Sequence, residues 1–324
     1  MEKIGVTPLA FESFGVRSMC TLVETKDIKV LVDPGVSVAP RFSLMPHPRE
    51  YVARNECRAR IREAAEIADV VTISHYHYDH HTPNYVDTMY CGSSPEEARS
   101  IYTRKLVIAK EIKSHVNMSQ RRRGWLFQRI SGKFIGRLES ADGRSFRFGE
   151  TELRFSQPVF HGEENSALGW VLMLVVQHGD EKVLHASDVQ GPVSKATLET
   201  ILSENPNLLL IGGQPLYLLG SKVSIASVEQ GFENLLKIVK TVPITVLDHH
   251  IVRSENWRDQ SKRVFEEAKR HGNMVVTAAE FAGKADMPLE CRRRILYEEE
   301  PPSKDFLKWT RVPIAERKKI APPI

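Results

Sequence analysis

A short β-branched run, Val70-Val71-Thr72-Ile73, ends abruptly in His75-Tyr76-His77-Tyr78-Asp79-His80-His81. That junction constrains the chain more than any other feature. A brief, β-branched strand is suited to a buried sheet, so it delivers a dense polar group to a sheet edge, where chemistry tends to sit. With twelve His and twelve Asp in 324 residues, the spacing His-x-His-x-Asp-His arises by chance in about 6 of 10,000 chains of this composition. In an extended segment residues i and i+2 point the same way, so His75 and His77 converge on one cation. As the chain turns, Asp79 and His80 face a second. Exposed loop histidines are the bland alternative. Two cations need more ligands than one loop offers, and further candidates stand at other strand ends: His161 after Pro158-Val159-Phe160, Asp188 after the run 183–186, and Asp248-His249-His250 after 244–247. Any one of these alone is more often structural.

Around that junction the chain divides into two patterns. Residues 4–14 read as a strand, and 19–24 with 28–32 as a hairpin about Lys26-Asp27 that leads into the Asp33-Pro34-Gly35 turn. Cys57, Ile61, Ala64, Ala65 and Ala68 follow helical spacing. Strands resume at 153–160, then 168–177 and 182–186 form a second hairpin around Gly179-Asp180. Beyond it helices near 194–203, from Ile225 and from about 255 to Gly272 alternate with strands at 207–211, 244–247 and 274–277. Hairpins first and αβ units later predict an α/β (α+β) protein, two sheets packed face to face with helices outside, an αββα sandwich. The domain is expected over residues 1–297, with a helical, basic insertion at about 83–149. The charged, Pro-rich stretch 298–324 is expected to be a loosely ordered tail, and the Arg292 to Arg294 triplet to lie on the surface.

Composition closes off several classes. The chain is 41% hydrophobic and 27% charged, and its mean hydropathy is −0.30. That is enough apolar material for a sizeable core and rules out wholesale disorder. No apolar run approaches the ~18 residues of a membrane-span candidate, and no secretory leader is recognisable at MEKIGVTPLAFESF. Four scattered cysteines, Cys20, Cys57, Cys91 and Cys291, fit reduced thiols rather than a disulfide framework or a cysteine zinc site. A cytoplasmic location is expected. The net charge is only +4, but residues 104–137 carry ten basic side chains against Glu111 alone, so the basicity belongs to one segment.

The ordered series Asp33 in LVDPG, His75, His77, Asp79 and His80, then His161, Asp188 and His249 or His250 resembles the metallo-β-lactamase superfamily of metal-dependent hydrolases. The phrases SHYHYDHHTP and LDHHIVR are similar to those of a mostly archaeal branch of predicted hydrolases within it, over residues 1 to about 280. The resemblance implies the αββα fold with two divalent metal ions at one sheet edge, zinc foremost, with manganese or iron as alternatives. It places His75, His77 and His161 on the first ion and Asp79, His80 and a C-terminal His on the second, with Asp188 bridging. Asp33 stands behind the ligands, unless Asp-Pro-Gly is turn chemistry alone. The tandem pair leaves His249 and His250 open, with His249 favoured, and His81 is expected behind the ligands or facing solvent. His77 stands where the diiron oxidoreductase branch has Glu, which favours a hydrolytic zinc branch.

The chemistry expected is hydrolysis of a small anionic ester or phosphoester, with Asp79 and Asp188 as the catalytic carboxylates and the paired cations acidifying a water. Arg121, Arg122 and Arg123, followed by Trp125, offer bidentate donors and a stacking face for an anion, though a solvated basic helix face is the plainer account. Gln214 in Gly212-Gly213-Gln214-Pro215 is a further substrate-side candidate or a tight turn. Two other readings stand beside this one: an RNA or DNA phosphodiesterase, and a non-catalytic binding module stabilised by metals. No membrane partner is expected, and the oligomeric state is left open.

Overall fold

The computed structural model describes residues 1–164 and 167–324. Six strands form the first sheet in the order of the chain: β1 (Gly5–Phe11), β2 (Met19–Glu24), β3 (Lys29–Val32), β4 (Val70–Ile73), β5 (Leu106–Ala109) and β6 (Arg137–Ser140). A second sheet holds β7 (Ser145–Phe148) and β8 (Thr151–Phe155), then β11 (Leu174–His178) to β15 (Met274–Val276) by way of β12 (Glu181–His185), β13 (Leu208–Ile211) and β14 (Ile244–Leu247). Between them β9 (Val159–Phe160) and β10 (Trp170–Val171) pair as a small ribbon. Each sheet begins with antiparallel hairpins and continues as parallel strands, β3 to β6 in one and β12 to β15 in the other.

The helices are α1 (Pro48–Ile67), α2 (Pro95–Tyr102), α3 (Met118–Ile130), α4 (Lys195–Glu204), α5 (Ile225–Thr241), α6 (Trp257–Gln260) and α7 (Lys262–Arg270), then α8 (Ala278–Phe281), α9 (Arg293–Glu299), α10 (Lys304–Trp309) and α11 (Ile314–Arg317). The period-2 alternation of the strands sorts their side chains between two cores. Leu208, Leu210 and Val246 join Leu31, Val71 and Ile73 in the core shared by both sheets. Leu209, Ile211 and Leu247 turn the other way, onto Leu235, Ile238 and Val264 of α5 and α7. The layers are those of the αββα sandwich. Among the described residues no helix is long and apolar enough to cross a membrane.

Four differences from the sequence expectations have physical causes. The stretch 83–149 is not set apart from the sheets, because Leu106–Ala109 continues the first sheet beside β4 and Ser145–Phe148 joins the second. Only its helices α2 and α3 lie outside the strands. Helix α1 starts well before Cys57, because His47 accepts from the first turn, Glu50 caps it reciprocally and Pro48 opens it. The tail packs onto the body. Phe306 and Trp309 are buried with Tyr51, Val38 and Met89, and Thr88 binds the carbonyls of Arg317 and Lys318. Of the arginine triplet, Arg293 is fully buried, with both oxygens of Glu50 at 2.7 Å.

Candidate metal centre

The carboxyl ends of the parallel strands all discharge at one edge, which is where open α/β sheets bind ligands. β3 ends at Asp33, β4 at Ser74 and the histidine loop, β12 at Ser187 and Asp188, and β14 at Asp248, His249 and His250. Three of these residues, Asp33, Ser187 and His249, hold left-handed backbone with φ of 48°, 52° and 63°. Non-glycine residues adopt that region at a cost, which the surrounding structure bears where it aims side chains at a common point. Gly35 closes the Asp33 turn against the histidine loop. A Cβ there would lie 2.3 Å from the amide nitrogen of His81 and 2.5 Å from that of His80, so only glycine allows the two segments to touch.

Asp188 is the focus. Its Oδ2 lies 2.7 Å from His161 Nε2, 3.6 Å from His75 Nε2, 3.7 Å from His77 Nδ1 and 3.6 Å from His80 Nε2. Its Oδ1 lies 3.2 Å from His249 Nε2 and in close contact with His250 Nε2. Asp79 joins from the side, with Oδ2 3.9 Å from His249 Nε2. The four ligand-type groups His75, His77, His161 and Asp188 gather within 4.8 Å of one another, as do Asp79, His80 and His249. Despite this crowding, His80 Nε2, both ring nitrogens of His161 and Asp188 Oδ1 are buried without a well-directed hydrogen bond among the described residues. Buried polar atoms are nearly always satisfied. A set of orphaned nitrogens and oxygens facing one point is what divalent cations would satisfy, so the donor set fits a metal pair.

Behind the inner imidazoles stand carboxylates. Asp33 is fully buried and accepts from His80 Nδ1 at 2.9 Å, from the Ser74 amide and from the hydroxyls of Ser74 and Ser187. Burial opposes its charge, but the hydrogen bond and charge of His80 hold its carboxyl well below the usual range. Glu12, at the end of β1, lies 2.8 Å from His249 Nδ1 and is itself gripped by Arg253, whose Nε donates at 2.5 Å. His249 is opposed by burial and by Arg253, yet Asp188 and Glu12 carry its imidazole up to about 9, so positive charge is favoured at this point. His250 gathers with Asp188 and His249 as well, and is held from outside: its Nδ1 lies 3.0 Å from the Tyr217 hydroxyl, and Gln190 Nε2 is 3.2 Å from its Nε2.

The remaining expectations divide. His81 is buried rather than facing solvent; its Nδ1 donates to the His77 carbonyl at 2.9 Å and its ring packs on Tyr76 and Phe127, so it supports the loop's backbone. Gln214 does not reach the cavity above the metal centre. It is fully buried, its amide atoms unpartnered among the described residues, in a space that Gly231 of α5 leaves open. Arg121 and Arg122 face an outer groove with Met118 and Trp125, whereas Arg123 lines the cavity. Successive helical residues are turned by ~100°, so one arginine run serves two faces. Glu12, Arg253, Tyr217 and Gln190 escaped the sequence reading. Their signals are a lone carboxylate in the apolar phrase PLAFESFG and an arginine four residues after His249.

Comparison with known proteins places this geometry. The profile of the β-lactamase superfamily domain matches residues 16–230. The chain belongs to the metallo-β-lactamase superfamily. A UPF0282 protein of Methanopyrus kandleri is 47% identical over 296 residues, covering 91% of this chain and 99% of its own. The metallo-β-lactamase fold protein YhfI of Bacillus subtilis superposes with a TM-score of 0.50 at 15% identity, over 88% of this chain and 99% of its own. CmlA, a diiron β-hydroxylase from Streptomyces venezuelae, gives 0.51 at 12% identity, over 86% and 53%. At such identities the two structures share the fold alone.

Proposed function

We propose that the protein is a hydrolase that uses two divalent cations, zinc foremost, to cleave the ester or phosphoester bond of a small anionic substrate. The observation that carries this reading is the convergence of six imidazoles, His75, His77, His80, His161, His249 and His250, on Asp188, with ring nitrogens of His80 and His161 left unsatisfied among the described residues. His75, His77, His161 and Asp188 would hold one ion, and Asp79, His80, His249 and Asp188 the other. Bound there, such ions supply an acidified water and offset negative charge that develops on the scissile group.

The chain's own groups do the rest. Asp33 and Glu12 keep the proton on Nδ1 of His80 and His249, which leaves each Nε2 lone pair facing inward. His250, whose Nδ1 meets Tyr217 and whose Nε2 meets Asp188 and Gln190, is the alternative ligand to His249 on this side. Two divalent ions against the carboxylates Asp79 and Asp188 leave a positive centre, which favours an anionic substrate. The cavity above is about 470 Å³, within the range for small-molecule sites.

A second reading, RNA or DNA phosphodiester cleavage, is favoured by one observation: the exposed outer face of α3 lines up Met118, Arg121, Arg122 and Trp125, a basic and aromatic ridge suited to a single strand. Metal analysis of the purified protein, beside a screen of bis-p-nitrophenyl phosphate, lactone, thioester and RNA substrates, tests both. Turnover of small esters with two ions per chain supports the first; RNA cleavage with binding that falls steeply with salt supports the second. Bound metal without any turnover would leave a non-catalytic module and overturn both.

A further inference from the structure

The cavity over the metal centre carries four cations, and they are not equivalent. Arg253 is engaged by Glu12, and Arg17 by both oxygens of Glu290 at 2.6 and 2.8 Å. These two are neutralised by buried carboxylates. Arg123 and Lys318 have no carboxylate within 4.0 Å among the described residues, and Arg123 Nη1 donates only to the Tyr76 carbonyl at 3.5 Å. Each rests instead on a tyrosine of the same wall. The Arg123 guanidinium lies 4.5 Å from the Tyr78 ring, and Lys318 Nζ 5.8 Å from the Tyr90 ring. Tyr78 in turn meets Tyr85 edge to face at 5.7 Å. Asp87, also on this wall, spends its Oδ1 on the amides of Met89 and Tyr90.

Both cations are fixed from behind. Gly124 lets α3 press on the histidine loop, since a Cβ there would lie 2.6 Å from the Tyr76 ring, and this sets the backbone of Arg123. The Lys318 carbonyl takes the Thr88 amide at 2.9 Å, and the tail that carries it is anchored by Phe306 and Trp309. The C-terminal segment is therefore part of the substrate cavity's wall.

Resting on the hydrolase reading above, we infer that Arg123 and Lys318 form an anion subsite on the wall of the cavity, beside the metal centre, that selects substrates bearing a carboxylate or phosphate in addition to the scissile group. The tyrosines would cover an apolar or aromatic body between the two groups. An unpaired, partly buried cation beside a wall of rings is a strong recognition element for such a group, because its charge is not already offset.

Two measurements on the full-length protein test this. With zinc-loaded protein, kcat/KM is compared for p-nitrophenyl acetate, p-nitrophenyl hemisuccinate and its phosphonate-ended analogue. The anion-ended esters are expected to be favoured by at least about tenfold, and Arg123→Gln and Lys318→Gln to cut that preference about three- to tenfold each, mainly through KM. Arg122→Gln, on the outer face of the same helix, leaves it unchanged. Which anion-ended ester is preferred separates carboxylate from phosphate. Independently of any turnover, phenylacetate and benzylphosphonate are titrated calorimetrically into metal-free wild type and into the double variant; Gln variants are used because truncating the tail would strip Phe306 and Trp309 from the core. Binding by wild type that is lost in the double variant supports the subsite even if no ester is cleaved, which would sink only the hydrolase reading. Equal binding by both proteins, or none by wild type, overturns the subsite.

Discussion

The two halves of the metal centre share Asp188 but are built differently. The half made of Asp79, His80 and His249 is buried at its imidazoles and backed by two further carboxylates, Asp33 on His80 and Glu12 on His249. Among the described residues the half made of His75, His77 and His161 has no carboxylate bonded directly to its imidazoles. His75 Nδ1 reaches Asp33 only through the Ser74 hydroxyl at 3.0 Å, His161 Nδ1 has no partner among the described residues, and the His77 side chain is 25% exposed. Anionic support raises the basicity of a ligating imidazole and fixes its tautomer. On the proposed reading the inner half would be the tighter cation site and the outer half, whose His77 and His161 line the cavity, the exchangeable one.

Removing the shared group has the largest expected effect. Asp188→Ala should cut cation content from two per chain to one or fewer and lower any hydrolytic rate at least about 100-fold, as read by metal analysis and kinetics together. Next come the inner supports. Asp33→Asn and Glu12→Gln should weaken the inner site about 10- to 100-fold while sparing the outer one, so chelator titration should change from two well-separated steps to two that merge. Loss of the outer ion first, with the inner unchanged, would reverse the assignment. Gly35→Ala acts on the same half through the backbone. Displacing the His80 segment should destabilise the protein by about 1–3 kcal/mol and lower inner-site affinity, checked by denaturant unfolding with and without zinc.

Least affected should be the cation count when the Arg17–Glu290 pair is broken, since Glu290 touches none of the candidate ligands, which makes it a control for general damage. Among the influences on Glu290, burial opposes its charge, but Arg17 beside it brings the carboxyl down to about 2 from an ordinary 4.5. A folded-state value below the unfolded one stabilises the protein above the unfolded value, and that contribution drains away as pH falls toward the folded one. Glu290→Gln is therefore expected to cost about 3 kcal/mol at neutral pH, with the gap to wild type closing between pH 4.5 and 2, while two ions still bind.

Much of the site was legible because a metal centre of this kind is written as unusual residues at the ends of conventional strands. β4 and β14 are short apolar runs, and the groups that follow them, His75 to His81 and Asp248 to His250, announce a change of role. The supports were hidden because Glu12 and Arg253 come together across 241 residues, and nothing local marks a carboxylate as someone's partner. Leu106–Ala109 was obscured by its basic neighbours, which made a sheet strand read as part of an insertion. Arg121, Arg122 and Arg123 read as one cluster until the helix turned them apart. The tail's composition predicted looseness, yet two aromatic residues three apart, Phe306 and Trp309, sufficed to pin it to Tyr51.

Anomalous diffraction at the zinc edge, from crystals grown with zinc, addresses the central claim most directly. Two peaks flanking the Asp188 carboxylate are expected, the stronger on the side of Asp79, His80 and His249. A single peak shared by all the histidines, or peaks elsewhere on the molecule, would contradict the paired centre.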